Sequence, residues 1–123
     1  MSSIIQTTKA APAIGPYSQG IVAGNLLFTS GQIPVNPATG SIPEGFDAQV
    51  AQLLDNLKAI AEEAGTDLSK TVKTTCYLAD MADFARFNEI YATYFINKPA
   101  RSCVAVKALP KGVLAEVEAI IEI

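Results

Sequence analysis

Two segments of the sequence carry apolar side chains at helical spacing along one side only, and this one-sidedness constrains the fold most strongly. The first segment, residues 47–64, begins at Asp47, which can cap a helix, and ends before Gly65. The second, residues 83–96, repeats the pattern with aromatic side chains and stops before Pro99. Each helix must bury its apolar stripe against another layer. The stripe residues are Val50, Leu53, Leu54, Leu57, Ile60, Ala61 and Ala64 in the first helix, and Phe84, Phe87, Ile90, Tyr91, Tyr94 and Phe95 in the second.

That second layer is a sheet, because period-two alternation predicts strands elsewhere in the chain. In residues 71–78, Val72, Thr74, Cys76 and Leu78 alternate with Thr71, Lys73, Thr75 and Tyr77. Further strands are predicted at 102–107 and 113–123. Residues 20–30 are predicted to form a hairpin that turns at Gly24-Asn25, and residues 31–46 a loop rich in Pro and Gly. This order predicts one α+β domain over residues 1–123, with two helices on one face of the sheet.

The last predicted strand indicates how the two sheet faces differ. Its odd-numbered residues are all apolar, so we expect them to meet the helices. Its even-numbered residues mix carboxylates with Leu114 and Ile120, a composition that suits a partly polar cleft or a subunit interface better than a dry core. The odd face carries Val113, Ala115, Val117, Ala119, Ile121 and Ile123, and the even face carries Leu114, Glu116, Glu118, Ile120 and Glu122.

The composition argues against several kinds of site and partner. The 123 residues include no histidine, so the commonest metal ligand and the usual neutral-pH base are missing. We therefore expect no metal site and no Ser-His or Cys-His hydrolase. Cys76 and Cys103 lack CxxC spacing and stand among apolar residues, which favours free thiols in a reducing compartment. A net charge of -3, with nine scattered Lys and Arg residues, makes nucleic acid an unfavourable partner.

The N-terminal residues and the large share of apolar residues bear on location and assembly. Residues 1–15 lack the basic flank and apolar block of a signal peptide, and no apolar run approaches the length of a membrane span. We therefore expect a cytoplasmic protein with no membrane contact. Hydrophobic residues make up 50% of the chain and charged residues only 17%, although a small domain leaves much of its surface accessible. Some of this apolar surface is expected to face another subunit.

Arg101, Glu116 and Glu118 are the charged candidates for chemistry. Arg101 precedes a predicted strand and follows Pro99, so a stiff backbone can present its guanidinium to a carboxylate; a structural pair with Glu116 or Glu118 explains it equally well. Glu116 and Glu118 share a strand face roughly 6.5 to 7 Å apart, near enough to raise each other's pKa if they are buried. Solvated strand glutamates are the commoner case.

Three further positions are candidates for lining a cleft. Tyr17 follows Gly15-Pro16, whose turn chemistry fixes the backbone, although such a tyrosine often simply packs. Ser30 offers a hydroxyl where a strand ends and Gly31 lets the backbone approach a ligand, although a plain loop entry is an equal explanation. Cys103 has no histidine to activate it, which favours a structural thiol over a nucleophile.

The chain resembles the RidA/YjgF family of reactive-intermediate deaminases, once also called L-PSP endoribonucleases, over essentially its whole length. The motifs are Ile14-Gly15-Pro16-Tyr17-Ser18-Gln19, Ser30-Gly31-Gln32-Ile33-Pro34, Val72-Lys73-Thr74-Thr75, Pro99-Ala100-Arg101-Ser102-Cys103-Val104 and Glu116-Val117-Glu118. One departure lies at residues 95–98, a segment a few residues shorter than in many relatives and placed at the rim of the expected cleft.

The resemblance implies a chorismate-mutase-like α+β fold with a mostly antiparallel sheet, a homotrimer and three clefts between subunits. It also implies hydrolysis of 2-iminobutanoate, 2-iminopropanoate and related 2-imino acids to 2-keto acids and ammonia, with no cofactor. By the same resemblance, Arg101 holds the substrate carboxylate and Glu116 positions or activates water. Tyr17 and Ser30 line the cleft, with Tyr17 from one subunit and Arg101 from the next, and backbone groups at Gly31 and Cys103 orient substrate and water.

Two other functions stay open at this stage. Some relatives carry the name endoribonuclease or translation inhibitor. The acidic net charge, the scattered cations and the missing histidine argue against that function here. A regulatory trimer that binds a small carboxylate in the same clefts without turnover uses the same arginine and glutamate. Whether Glu118 shares the work of Glu116 is also left open.

Overall fold

One six-stranded sheet and two helices make up the fold. The computed structural model describes residues 2–123. The strands are β1 (Ser3–Ile5), β2 (Gly20–Ala23), β3 (Leu26–Thr29), β4 (Thr71–Leu78), β5 (Ala100–Ala105) and β6 (Ala115–Glu122), and the helices are α1 (Phe46–Glu63) and α2 (Phe84–Tyr94). Short 3-10 turns precede β4, α2 and β6. The predicted α+β class is confirmed.

The strands lie in the order β1-β2-β3-β6-β4-β5. Every neighbouring pair is antiparallel except β4 and β5, which are parallel and joined through α2. A parallel pair needs a long crossover, which α2 provides. The sheet is therefore mostly antiparallel, and β5 forms one of its edges with no neighbour on its outer side among the described residues.

Both helices pack on the same face of the sheet, as predicted. Their stripes and the inward residues of β3, β4 and β6 form one hydrophobic core. The predicted stripe of α1 is fully buried from Val50 to Ala61, while Ala64 caps the helix and is partly buried. In α2, Phe87 and Tyr91 are buried and Phe95 follows them into the core. None of the helices in residues 2–123 is long and apolar enough to cross a membrane.

The alternation predicted for the last strand is confirmed. Ala115, Val117, Ala119 and Ile121 are buried under the helices, and the even-numbered residues between them are partly exposed on the other face. This other face, which we call the open face, has no helix over it. The strand ends at Glu122, so the predicted odd residue Ile123 lies beyond it and is exposed.

Local backbone geometry moved the predicted element boundaries. Helix α1 is capped by Gly45 at a φ of 91°, and Asp47 lies in its first turn, so the predicted Asp47 cap is wrong. Asp47 instead pairs with Arg86 of α2, with an oxygen to nitrogen distance of 2.7 Å. Helix α2 ends at Tyr94, because Phe95 leaves helical geometry at a φ of -107° and a ψ of 71°.

Two predicted strands differ in detail, and one strand was not predicted. In β4 a register shift between Thr71 and Lys73 turns Val72 outward and Thr71 inward, which breaks the predicted alternation. Strand β5 covers 100–105 instead of 102–107, because its register follows β4 from Lys73 onward. Strand β1 has only three residues, too few to show a period.

Candidate functional site

Four of the predicted site residues line one cavity of about 350 Å³ beside the sheet. They are Tyr17, Ser30, Gly31 and Glu116, and Ile33 and Pro110 complete its wall. The cavity joins a second, of about 370 Å³, that shares Tyr17, Gly31, Ile33 and Pro110 in its lining. The sequence motifs that are far apart in the chain therefore meet in space.

Backbone hydrogen bonds bring these segments together. Gln32 exchanges hydrogen bonds with Val117, at 2.9 and 3.3 Å between nitrogen and oxygen, so Gly31 lies beside Glu116. The Ser30 amide donates to the Gln19 carbonyl at 2.8 Å, and the Ser30 hydroxyl donates to the Ser18 carbonyl. The hydroxyl proton of Ser30 is thus already used, and its oxygen is left to accept from a ligand.

Tyr17 is held by a tight turn before β2. Its amide donates to the Gly15 carbonyl at 2.9 Å, and Gly15 has a φ of 135°, a conformation that favours glycine. Tyr17 is 51% exposed, so it does not lie in the core. The turn presents the ring to the cavity.

Gly31 is needed because the carboxylate of Glu116 occupies the space that a side chain would fill. A Cβ added to Gly31 would lie 2.1 Å from the nearer carboxylate oxygen of Glu116, a distance at which something must move. The conformation of Gly31 is not in the left-handed region, so the requirement is for space. The glycine therefore lets the loop lie directly on the acid.

The environment of Glu116 favours its protonated form. Partial burial raises the pKa of the Glu116 carboxyl, and the charge of Glu118 on the same strand face raises it further. Among residues 2–123, no hydrogen bond to the Glu116 side chain offsets this effect. A carboxyl in such a setting can both accept and return a proton closer to neutral pH.

Arg101 lies on the opposite face of the sheet from Glu116. It is within β5, rather than before it as predicted. Its register partner Thr74 and the residue paired with Thr74 on β6, Ala119, are both buried under the helices. The predicted alternative of a pair with Glu116 or Glu118 is therefore wrong within this chain. Arg101 is half-buried, and its guanidinium lies over the rings of Phe84 and Tyr91 of α2.

Asn88 of α2 completes the environment of Arg101, and the sequence reasoning missed it. Its side-chain oxygen accepts from Nη1 of Arg101 at 2.7 Å. A sequence signal was present: Asn88 lies four residues after Phe84 and three before Tyr91, so it is a polar residue within the apolar stripe of a helix. The asparagine and the two rings fix the guanidinium without neutralising its charge.

Cys103 lies near Arg101 on the same face of β5, with Cys76 as its register partner on β4. Both thiols are free, which agrees with the prediction. Partial burial raises the pKa of Cys103 and Arg101 opposes this only in part, while burial raises the pKa of Cys76 to about 12. Neither thiol is activated as a nucleophile.

Within residues 2–123 no three Cys, Asp or Glu side chains come together as a metal site would require.

Fold and site thus define a small α+β protein whose candidate ligand groups are divided between two faces of one sheet. Residues 7–123 match the family model described as endoribonuclease L-PSP. The chain belongs to this family, which confirms the resemblance to RidA/YjgF proteins.

Individual relatives are similar over nearly their whole length. The 2-iminobutanoate/2-iminopropanoate deaminase of Escherichia coli K12 is 52% identical over 124 residues, covering 98% of this chain and 97% of that protein. The crystal structure of YyfA, a Rid family protein from Yersinia pestis, gives a TM-score of 0.97 at 45% identity and covers 100% of both chains. The structure of E. coli TdcF with bound serine gives 0.95 at 46% identity over 98% of each chain.

The close contact between Gly31 and Glu116 yields a prediction about stability. Gly31→Ala should lower the free energy of unfolding by about 0.5–1.5 kcal/mol, because the new methyl group forces the flexible end of the Glu116 side chain out of its present rotamer. In a Glu116→Ala background the same change should cost less than about 0.5 kcal/mol, because the colliding atoms are gone. Urea unfolding of the four proteins at one concentration measures both values. An equal cost in the two backgrounds would contradict the contact.

Proposed function

We propose that this protein hydrolyses 2-imino acids to 2-keto acids and ammonia, with Arg101 holding the substrate carboxylate. The observation that carries the proposal is that this guanidinium is fixed in place but has no carboxylate partner among residues 2–123. It is stacked over two rings and bonded to a neutral amide, and no carboxylate among residues 2–123 pairs with it. A positive charge fixed in this way is suited to bind a carboxylate from outside the chain.

The other arginine of the chain provides a contrast. Arg86 bonds Asp47 through two nitrogens, at 2.9 and 2.7 Å, and also bonds Glu89 at 3.0 Å. These partners raise the pKa of Arg86 above its already high value. Arg86 is thus a structural cross-link between the helices, whereas Arg101 keeps its charge available for a ligand.

We propose further that a complete site needs two copies of the chain, assembled as a homotrimer. In one copy, Arg101 and Glu116 lie on opposite faces of the sheet, and Arg101 does not line the cavity that contains Glu116. A substrate small enough to be a 2-imino acid cannot reach both. Tyr17, Ser30, Gly31 and Glu116 of one copy would therefore meet Arg101 and Cys103 of the next.

The open face of the sheet supports such an assembly. Ile4, Ile21, Phe28 and Ile120 are register partners across β1, β2, β3 and β6, so they form an apolar row on that face. In the single chain Ile4 is 69% and Phe28 41% exposed. An apolar row of this kind next to a half-formed site suits a subunit interface.

The proposed reaction requires two events at the imine carbon. Water adds to the C=N carbon, giving a carbinolamine, and the C–N bond then breaks to release ammonia and leave the keto group. Glu116 takes a proton from the attacking water and gives it to the imine nitrogen; it then takes the hydroxyl proton of the carbinolamine and gives it to the departing amine. One imine and one water thus become one keto group and one ammonia, with no net proton or electron needed. Tyr17 and the backbone at Gly31 and Cys103 orient the substrate. No organic cofactor takes part in this scheme, and we expect the protein to work in the cytoplasm.

The name of the matching family model points to RNA cleavage as another activity. The net charge of -3 and the lack of histidine argue against it here. Titrating RNA binding with salt tests this rival directly, since a phosphate-binding protein loses affinity steeply as salt rises.

The carboxylate clamp predicts that Arg101→Lys loses activity while the fold stays intact. Lysine keeps the charge but loses the bidentate geometry and the stacking, so keto-acid release from freshly generated 2-iminobutanoate should fall roughly 100-fold. Arg86→Lys, which changes the only other arginine, is the matched control and should retain activity. Full activity of Arg101→Lys would refute the clamp.

The acid–base role predicts a different kinetic effect for Glu116→Gln. The amide can still hydrogen-bond but cannot exchange a proton, so kcat should fall roughly 10²- to 10⁴-fold. KM should change much less, because the carboxylate clamp is untouched. Steady-state rates of keto-acid release separate the two parameters, and unchanged turnover would remove Glu116 from the chemistry.

A further inference from the structure

A second carboxylate lies next to Glu116 on the open face, and it has a partner that Glu116 lacks. Glu118 accepts a hydrogen bond from the hydroxyl of Tyr77 on β4, at 3.1 Å between the two oxygens. The two glutamates are two residues apart on β6, which puts them on the same face, roughly 6.5 to 7 Å apart. They therefore form an unequal pair.

The register of the strands shows that this hydrogen bond is not made to the nearer glutamate across the strands. Tyr77 lies directly opposite Glu116, and Thr75 lies opposite Glu118. The tyrosine hydroxyl nevertheless reaches diagonally to Glu118 instead of to its direct neighbour. The diagonal contact therefore positions the carboxylate of Glu118, whereas the side chain of Glu116 accepts no hydrogen bond among residues 2–123.

We propose that Glu118, held by Tyr77, is a positioning residue whose carboxylate beside Glu116 keeps Glu116 able to take up and return a proton during imine hydrolysis. This inference rests on the proposed function and answers what the second glutamate contributes. Two neighbouring carboxyls in different environments are a recurrent way to obtain one proton-exchanging acid and one permanent charge.

The other titratable groups near Glu116 do not oppose this arrangement. Tyr77 faces it from β4, and the charges of Glu118 and Glu116 both raise the pKa of that tyrosine after burial, so it remains a neutral donor. Tyr17 faces Glu116 across the cavity. Lys111 lines the adjoining cavity instead of the one that contains Glu116. Lys73 shares the open face but pairs with Ile120, farther along the strand from Glu116. The charge of Glu118 is the one that raises the pKa of Glu116, so removing it should favour the charged form of Glu116.

The experiment compares Glu118→Gln with Glu122→Gln in the full-length protein. Glu122 is on the same strand face, but it is exposed and farther from Glu116. Glu122→Gln therefore removes an equal charge and serves as the matched control. Carbon-13 NMR of the glutamate carboxyls follows the titration of Glu116, assigned by its loss in Glu116→Gln. In Glu118→Gln the midpoint of Glu116 should move to lower pH, and in Glu122→Gln it should hardly move.

The pH profile of kcat/KM gives the second readout. Its acidic limb should move to lower pH in Glu118→Gln together with the NMR midpoint, an effect that a purely structural role would not produce. Equal midpoints in the two variants would overturn the proposal, and so would an acidic limb that stays in place. If the unmodified protein released no keto acid, the proposed function would fail on its own, whereas the NMR comparison would still decide the coupling of the two carboxyls.

Discussion

Successive side chains of a β-strand point to opposite faces of the sheet, and this alternation decides where the chemistry of the molecule can lie. Val117 is in the core, so Glu116 must face the open side. Thr74 is in the core as well, so its neighbour Arg101 on β5 faces the helices. One core therefore directs the carboxyl of Glu116 and the guanidinium of Arg101 away from each other, and a second copy of the chain becomes part of the proposed mechanism.

The same separation explains why both charges stay usable. If the two groups paired with each other within one chain, their attraction would compete with the ligand for both of them. Arg101 instead lies among Phe84, Tyr91 and Asn88, and Glu116 lies against Gly31. Among residues 2–123 neither group has a partner of opposite charge, so each can interact with a substrate that supplies the missing charge or proton.

The sequence predicted the layers well because helical and strand periods reflect burial, and burial built the core. It predicted less well where a single backbone irregularity sets the boundary or the facing of an element. The bulge at Val72 and the glycine cap at position 45 carry no periodic signal. The cavity around Glu116 was predicted from motifs at strand ends. The setting of Arg101 was not predicted. The sequence marks Asn88 as a polar residue within the stripe of α2, but the hydrogen bond that Arg101 donates to it depends on how α2 lies on β5, which spacing along the chain does not encode.

The central claim is that Arg101 of one copy and Glu116 of another serve the same substrate. Mixing Arg101→Lys protein with Glu116→Gln protein, after dissociation and reassembly, tests it directly. Random reassembly should create intact sites at roughly a quarter of the interfaces, so activity should return to about that fraction of the unmodified protein. Activity that stays at the level of the two separate variants would contradict a site shared between copies.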